Sequence, residues 1–231
     1  MISKDIKIKS GNGSEFDCYL AMPEGLGKRP AVVLVPAIHG IDEDIRDIAN
    51  EFAEAGFIAA GPDVFWRTLP GPLLRGDDRT KPRGLPRKEK IKTGEADMVD
   101  TLAELHKLPQ FNGRAAVMGF CYGAPYAILG PKRLGYDAGI SCHGTALDEY
   151  IQELDGVTSR ICVIWGDNDH QAPPATLAMY RAVPLRMSNV EVHVLPGIEH
   201  SYMMPLANEA FDKSARKFSM DRAINILNSL C

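Results

Sequence analysis

One stretch near the middle of the chain constrains its fold most: Ala115-Ala116-Val117-Met118-Gly119-Phe120-Cys121-Tyr122-Gly123-Ala124. A short apolar run ends in Gly-x-Cys-x-Gly, and an apolar segment of helical composition follows through Leu129. That order predicts a strand, a sharp turn and a helix, with a thiol at the tip of the turn. The flanking glycines make sense there, because strand and helix backbones pass close to such a turn. The backbone N–H of Tyr122 is then placed to donate to a carbonyl under attack by Cys121. A buried structural cysteine after a strand is the competing reading, since free cysteines are often buried.

The flanking sequence supplies the sheet that such a turn needs. Ile6-Lys7-Ile8-Lys9, the Gly11-Asn12-Gly13 turn and Phe16 to Ala21 predict an N-terminal β-hairpin. Ala31 to Val35 is continuously apolar and β-branched, as in a strand covered on both faces. Asp42 is placed to cap a helix whose Ile45, Ile48, Ala49, Phe52 and Ala53 share a face, and Gly56 ends it. Strands are expected at Phe57 to Ala60, Ala138 to Cys142, Arg160 to Trp165 and Val190 to Leu195. Helices are expected over Lys88 to Leu108, from Pro173-Pro174 to about Tyr180, and over Phe211 to Leu230. Alternating strands and helices predict an α/β chain: a mostly parallel sheet with helices on both faces. Its 231 residues suit one domain, and no internal repeat is visible.

Residues 67–92 break the pattern. Nine Lys/Arg stand against three Asp/Glu, with four prolines. This reads as a basic surface excursion, either simply solvated or forming a wall that offers a cation to an anionic substrate. The whole chain carries a net charge of −4, which argues against a nucleic-acid surface. No apolar run reaches membrane-spanning length, and Met1 to Lys7 have no secretory-type apolar core. The five cysteines, Cys18, Cys121, Cys142, Cys162 and Cys231, form no CxxC pair, so a reducing cytoplasm is expected.

In sheets of this kind ligands bind beyond the carboxyl ends of the strands. Cys121, Asp169 and His200 each follow a predicted strand, in the order nucleophile, acid, histidine. His200 would take the thiol proton, and Asp169 would fix the imidazole tautomer. Asp167 competes with Asp169 for the acid role. Ile38, in the loop after the Ala31–Val35 strand, is the choice for a second oxyanion donor beside Tyr122. Cys142-His143 is too small a grouping for a metal site, and His39 and His143 read first as loop histidines bonded to backbone.

Val35 to Asp42, Gly61-Pro62-Asp63, Gly119 to Gly123, Gly166 to His170 and Glu199 to Tyr202 together resemble the dienelactone hydrolase family, thiol members of the α/β-hydrolase fold. The resemblance implies Cys121, Asp169 and His200 as a triad, Ile38 and Tyr122 as oxyanion donors, and a small ester or lactone as substrate. Such a mechanism needs no metal or organic cofactor; no nucleic-acid or membrane partner is expected, and the chain is expected to be a monomer or homodimer. Two positions depart from it. Ala37 stands where dienelactone enzymes carry a thiol-activating Glu, and Met204 where they carry an Arg for the substrate carboxylate. Arg79 or Arg83 matches a second family arginine, and His39 is a candidate to polarise the thiol. The expectation is therefore an apolar pocket at Met203-Met204, with any anion met by the basic excursion. A non-catalytic binding protein and a redox-sensing thiol protein are the competing functions.

Overall fold

The computed structural model describes residues 1–231. An eight-stranded sheet runs in the order β1-β2-β4-β3-β5-β6-β7-β8. Its strands are β1 (Ile2–Lys9), β2 (Glu15–Met22), β3 (Arg29–Val35), β4 (Ile58–Pro62), β5 (Phe111–Phe120), β6 (Ala138–Cys142), β7 (Arg160–Gly166) and β8 (Val190–Leu195). The expected hairpin β1–β2 is antiparallel, and β2 pairs antiparallel with β4. From β4 to β8 every pairing is parallel.

Six helices accompany the sheet: α1 (Glu43–Glu54), α2 (Thr80–Arg83), α3 (Arg87–Leu105), α4 (Tyr126–Leu129), α5 (Pro174–Arg181) and α6 (Lys213–Asn228). Alternation along the strands sorts side chains between two cores. Val33, Val35 and Val117 join Ile91 and Met98 of α3 and Leu177 and Tyr180 of α5. Val32, Leu34, Met118 and Phe120 join α1 and α6. The predicted α1 face is the buried one, and Asp42 Oδ1 accepts from Ile45 N–H at 3.2 Å. Capping of this kind satisfies an otherwise orphaned helix donor.

The register brings the strand ends together. Val35 lies opposite Gly119, Phe120 opposite Cys142, Cys142 opposite Ile164, and Gly166 opposite Leu195. The loops that follow β3, β5, β6, β7 and β8 therefore leave from one edge, where the candidate residues lie. The 67–92 excursion folds back on this edge. Leu73 N–H donates to His39 O at 2.8 Å, and Leu73, Thr80 and Arg83 are buried.

Candidate active site

Cys121 follows β5 directly, at φ +48°, in the left-handed region that costs a non-glycine residue roughly 1–3 kcal/mol. The turn over Cys121–Gly123 packs so tightly that glycine is required on both sides. A methyl group on Gly119 would run into the Gly123 carbonyl, and one on Gly123 into the Val35 carbonyl. The carbonyl of Cys121 accepts from Thr145 N–H at 3.2 Å, tying the turn to the loop after β6.

Asp169 and His200 meet as a buried pair. His200 Nδ1 lies 2.8 Å from Asp169 Oδ2 and 3.0 Å from Oδ1, so Nδ1–H donates to the carboxylate. Asp169 Oδ1 also accepts from Gln171 N–H at 2.8 Å, which aims the carboxylate. Asp167 is exposed and accepts from Gly197 N–H at 2.6 Å, so it braces its own loop instead. Burial alone lowers the His200 pKa, but Asp169 and Cys121 outweigh it and raise the imidazole to about 9. Burial pushes the Cys121 thiol up, yet His200, then Arg87 and Thr145, bring it below the usual thiol value. His200 Nε2 has no well-formed hydrogen bond within the fold, but the two groups lie near enough to shift each other's titration. Together these shifts favour a thiolate facing an imidazolium.

Ile38 and Tyr122 lie side by side. A methyl on Gly84 would come within 3.1 Å of the Tyr122 ring and 3.5 Å of Ile38 Cγ2. The Tyr122 ring is buried against Phe65, with centroids 4.9 Å apart.

The other substrate-binding expectations need correction. Arg79 is exposed and paired with Asp77 at 2.6 Å, which holds the Asp77 carboxyl down at about 2. The Arg83 side chain is fully buried over the Phe65 ring and donates to Ile38 O and Gly71 O. Arg67 is held by Asp97, and Arg75 by Asp44. Arg67, Arg75 and Arg83 thus hold the excursion down, while Arg79 sits in an exposed local pair. Met204 is buried in the core under α1 and α6, not exposed to a pocket. His39 faces Arg75 and Arg83, and burial together with those charges lowers its pKa to about 4. Neither histidine is bonded to backbone through its ring as expected: His39 Nδ1 and both ring nitrogens of His143 have no partner.

Two contributors escaped the sequence reading. Arg87 donates to Thr145 O at 2.9 Å and Tyr122 O at 3.1 Å, and its Nη2 lies 3.5 Å from Cys121 O. One guanidinium thus clamps the elbow to the loop after β6. Thr145 is buried with its hydroxyl unpartnered. Arg87 sits in a basic run where nothing local sets it apart, and Thr145 has no motif. Elsewhere, Cys162, Glu191 and His193 group their potential ligand atoms within 4.8 Å. Arg160 and Arg222 already neutralise Glu191, which makes this an ion-pair network.

Comparison with known proteins finds relatives and folds that match nearly the whole chain. Carboxymethylenebutenolidase 1 of Cupriavidus pinatubonensis is 27% identical over 233 residues, covering 100% of this chain and 98% of the relative. A dienelactone hydrolase-like promiscuous phosphotriesterase from metagenomic libraries superposes with a TM-score of 0.81 at 21% identity, over 100% of this chain and 99% of that one. Dienelactone hydrolase from Anabaena variabilis superposes with a TM-score of 0.72 at 14% identity, covering 99% of this chain and 97% of its own. Residues 16–231 match the model of the Dienelactone hydrolase family, and with that match the chain belongs to the family.

Proposed function

We propose that the protein is a cysteine hydrolase that cleaves a small ester or lactone through a thioester acyl-enzyme. The observation that carries this reading is the buried Asp169–His200 pair at the same strand edge as Cys121, supported by the way His200 and Cys121 shift each other. The Cys121 thiolate attacks the carbonyl carbon, and the N–H groups of Ile38 and Tyr122 receive the developing oxyanion. The intermediate collapses as His200 gives its proton to the departing alkoxide oxygen, leaving a thioester on Cys121. Neutral His200 then takes a proton from water, the hydroxide attacks the thioester, and the thiolate leaves with the acid released. Asp169 holds the tautomer through both halves.

The site favours a small, uncharged acyl group. Cys121 and His200 are only 8% and 5% exposed, and the arginines of the excursion are committed elsewhere. The name of the Cupriavidus relative makes a dienelactone the first charged comparison to run. The test is turnover of a panel of aryl esters and lactones by the wild type, Cys121→Ala and His200→Ala, with mass-spectrometric trapping of the thioester. Turnover lost in both variants, and an acyl adduct on Cys121, is expected. Full activity in Cys121→Ala overturns the mechanism. Dienelactone outpacing uncharged esters by more than about tenfold in kcat/KM overturns the substrate preference.

A further inference from the structure

His143 is the least explained polar group near the site. It is fully buried, holds φ +40°, and neither ring nitrogen has a hydrogen-bond partner. Both features are unfavourable, and a buried unpartnered polar group needs a reason to persist. What His143 does have is aromatic contact. Its ring lies 5.0 Å from that of His200 at 78°, and 5.4 Å from that of Tyr202 at 79°. Phe120 lies 6.0 Å away on a third side. Both short contacts have the edge-to-face geometry that aromatic rings prefer. Tyr202 is itself fixed, its hydroxyl 2.9 Å from Ser219 Oγ of α6.

We propose that His143 is a positioning residue. Its ring, wedged between Tyr202 and His200, holds the His200 imidazole against Cys121 and favours the charged form of that imidazole. This rests on the Cys121–His200 reading above and deepens it. The physical basis is the quadrupole of a neutral aromatic ring, whose negative face attracts a cation lying over it. A second proton on His143 would oppose the first on His200. Burial prevents it, and the charges of His200 and Arg75 also hold the His143 pKa far below its ordinary value. Other ionisable groups surround the pair: Asp169 and His170 after β7, Cys121 after β5, Tyr202 after β8, and Arg87 of α3.

The experiment measures the rate of Cys121 alkylation by iodoacetamide across the pH range, alongside ester turnover. The proteins are wild type, His143→Asn, His143→Phe and His200→Ala. Asn tolerates the left-handed backbone but removes the ring; Phe keeps the ring without its nitrogens. In His143→Asn the acid limb of alkylation should move up by about half a pH unit or more. Its kcat should fall about tenfold, with KM within about twofold. In His143→Phe the limb should stay in place and kcat should remain within about threefold. An unmoved limb in His143→Asn overturns the proposal, even if that variant melts earlier, because only packing is then left. A limb displaced equally by His143→Phe also overturns it, since the nitrogens and not the ring would matter. Near-ultraviolet circular dichroism identifies any unfolded variant, and the other then decides alone. His200→Ala must move the limb strongly; if it does not, the triad reading has failed rather than this one.

Discussion

The elbow and the 67–92 excursion meet over the same thiol but are held by opposite means. The elbow is fixed by backbone pressed on backbone: Gly119 against Gly123, and Gly123 against Val35. The excursion is fixed by side chains reaching into backbone: Arg83 to Ile38 and Gly71, and Arg87 to Tyr122 and Thr145. Close backbone approach tolerates no substitution, because neither partner can move. A guanidinium clamp is a long lever whose charge and donors are both spent. A basic loop is therefore no sign of a free cation, and here positive charge serves as mortar.

This contrast can be broken at several points. The largest effect is expected where the elbow meets the acid. Asp169→Asn should lower kcat on an ester by a factor on the order of 10² to 10⁴, while Asp167→Asn stays near wild type. Steady-state kinetics decides, and the reverse pattern would move the acid role to the exposed loop. Next, Gly123→Ala should cost at least about 3 kcal/mol in urea unfolding, because the Val35 carbonyl lies in rigid β3. A loss below about 1 kcal/mol would mean that the elbow yields after all.

On the other side of the comparison, Arg83→Met should cost about 2–3 kcal/mol, since two carbonyls and Asp63 lose a buried partner. Arg79→Met should leave the urea midpoint essentially where it is, as expected of an exposed, solvent-screened pair. Equal effects would erase the distinction between clamp and solvated charge.

The smallest effect concerns pH. The raised His200 value means the imidazolium persists until pH passes about 9. Above that point the leaving alkoxide of an unactivated alkyl ester loses its proton donor. Its kcat/KM should then fall toward tenfold per pH unit, whereas alkylation of the thiolate should not fall. A pH-rate profile with no decline past about 9 would show that His200 is not the acid.

Much of this fold was legible because period and punctuation are local. The α1 stripe, its Asp42 cap, the β-branched β3 and the hairpin all follow from neighbouring residues. Cys121, Asp169 and His200 could be named because strand ends are readable and the sheet collects them. What could not be read was side-chain destination. Nothing near Arg83 or Arg87 in the sequence says that each will reach a carbonyl more than thirty residues away. Met204 looked like a pocket residue by position, yet Ser201 at φ +66° turns the chain, and Met204 is buried in the core. His143 reads as a backbone-bonded loop histidine because the ring it meets, that of His200, comes from another strand's loop.

The sheet order has a consequence for the chain as it is made. Cys121 leaves a central strand, but His200 follows β8, the strand at the far edge and the last to be synthesised. Until β8 docks, Cys121 lacks the imidazole that, on the function proposed above, brings its thiol down. A chain still without its last strand would then carry a sulfur of ordinary thiol reactivity, and the activated form would arise only with the completed sheet.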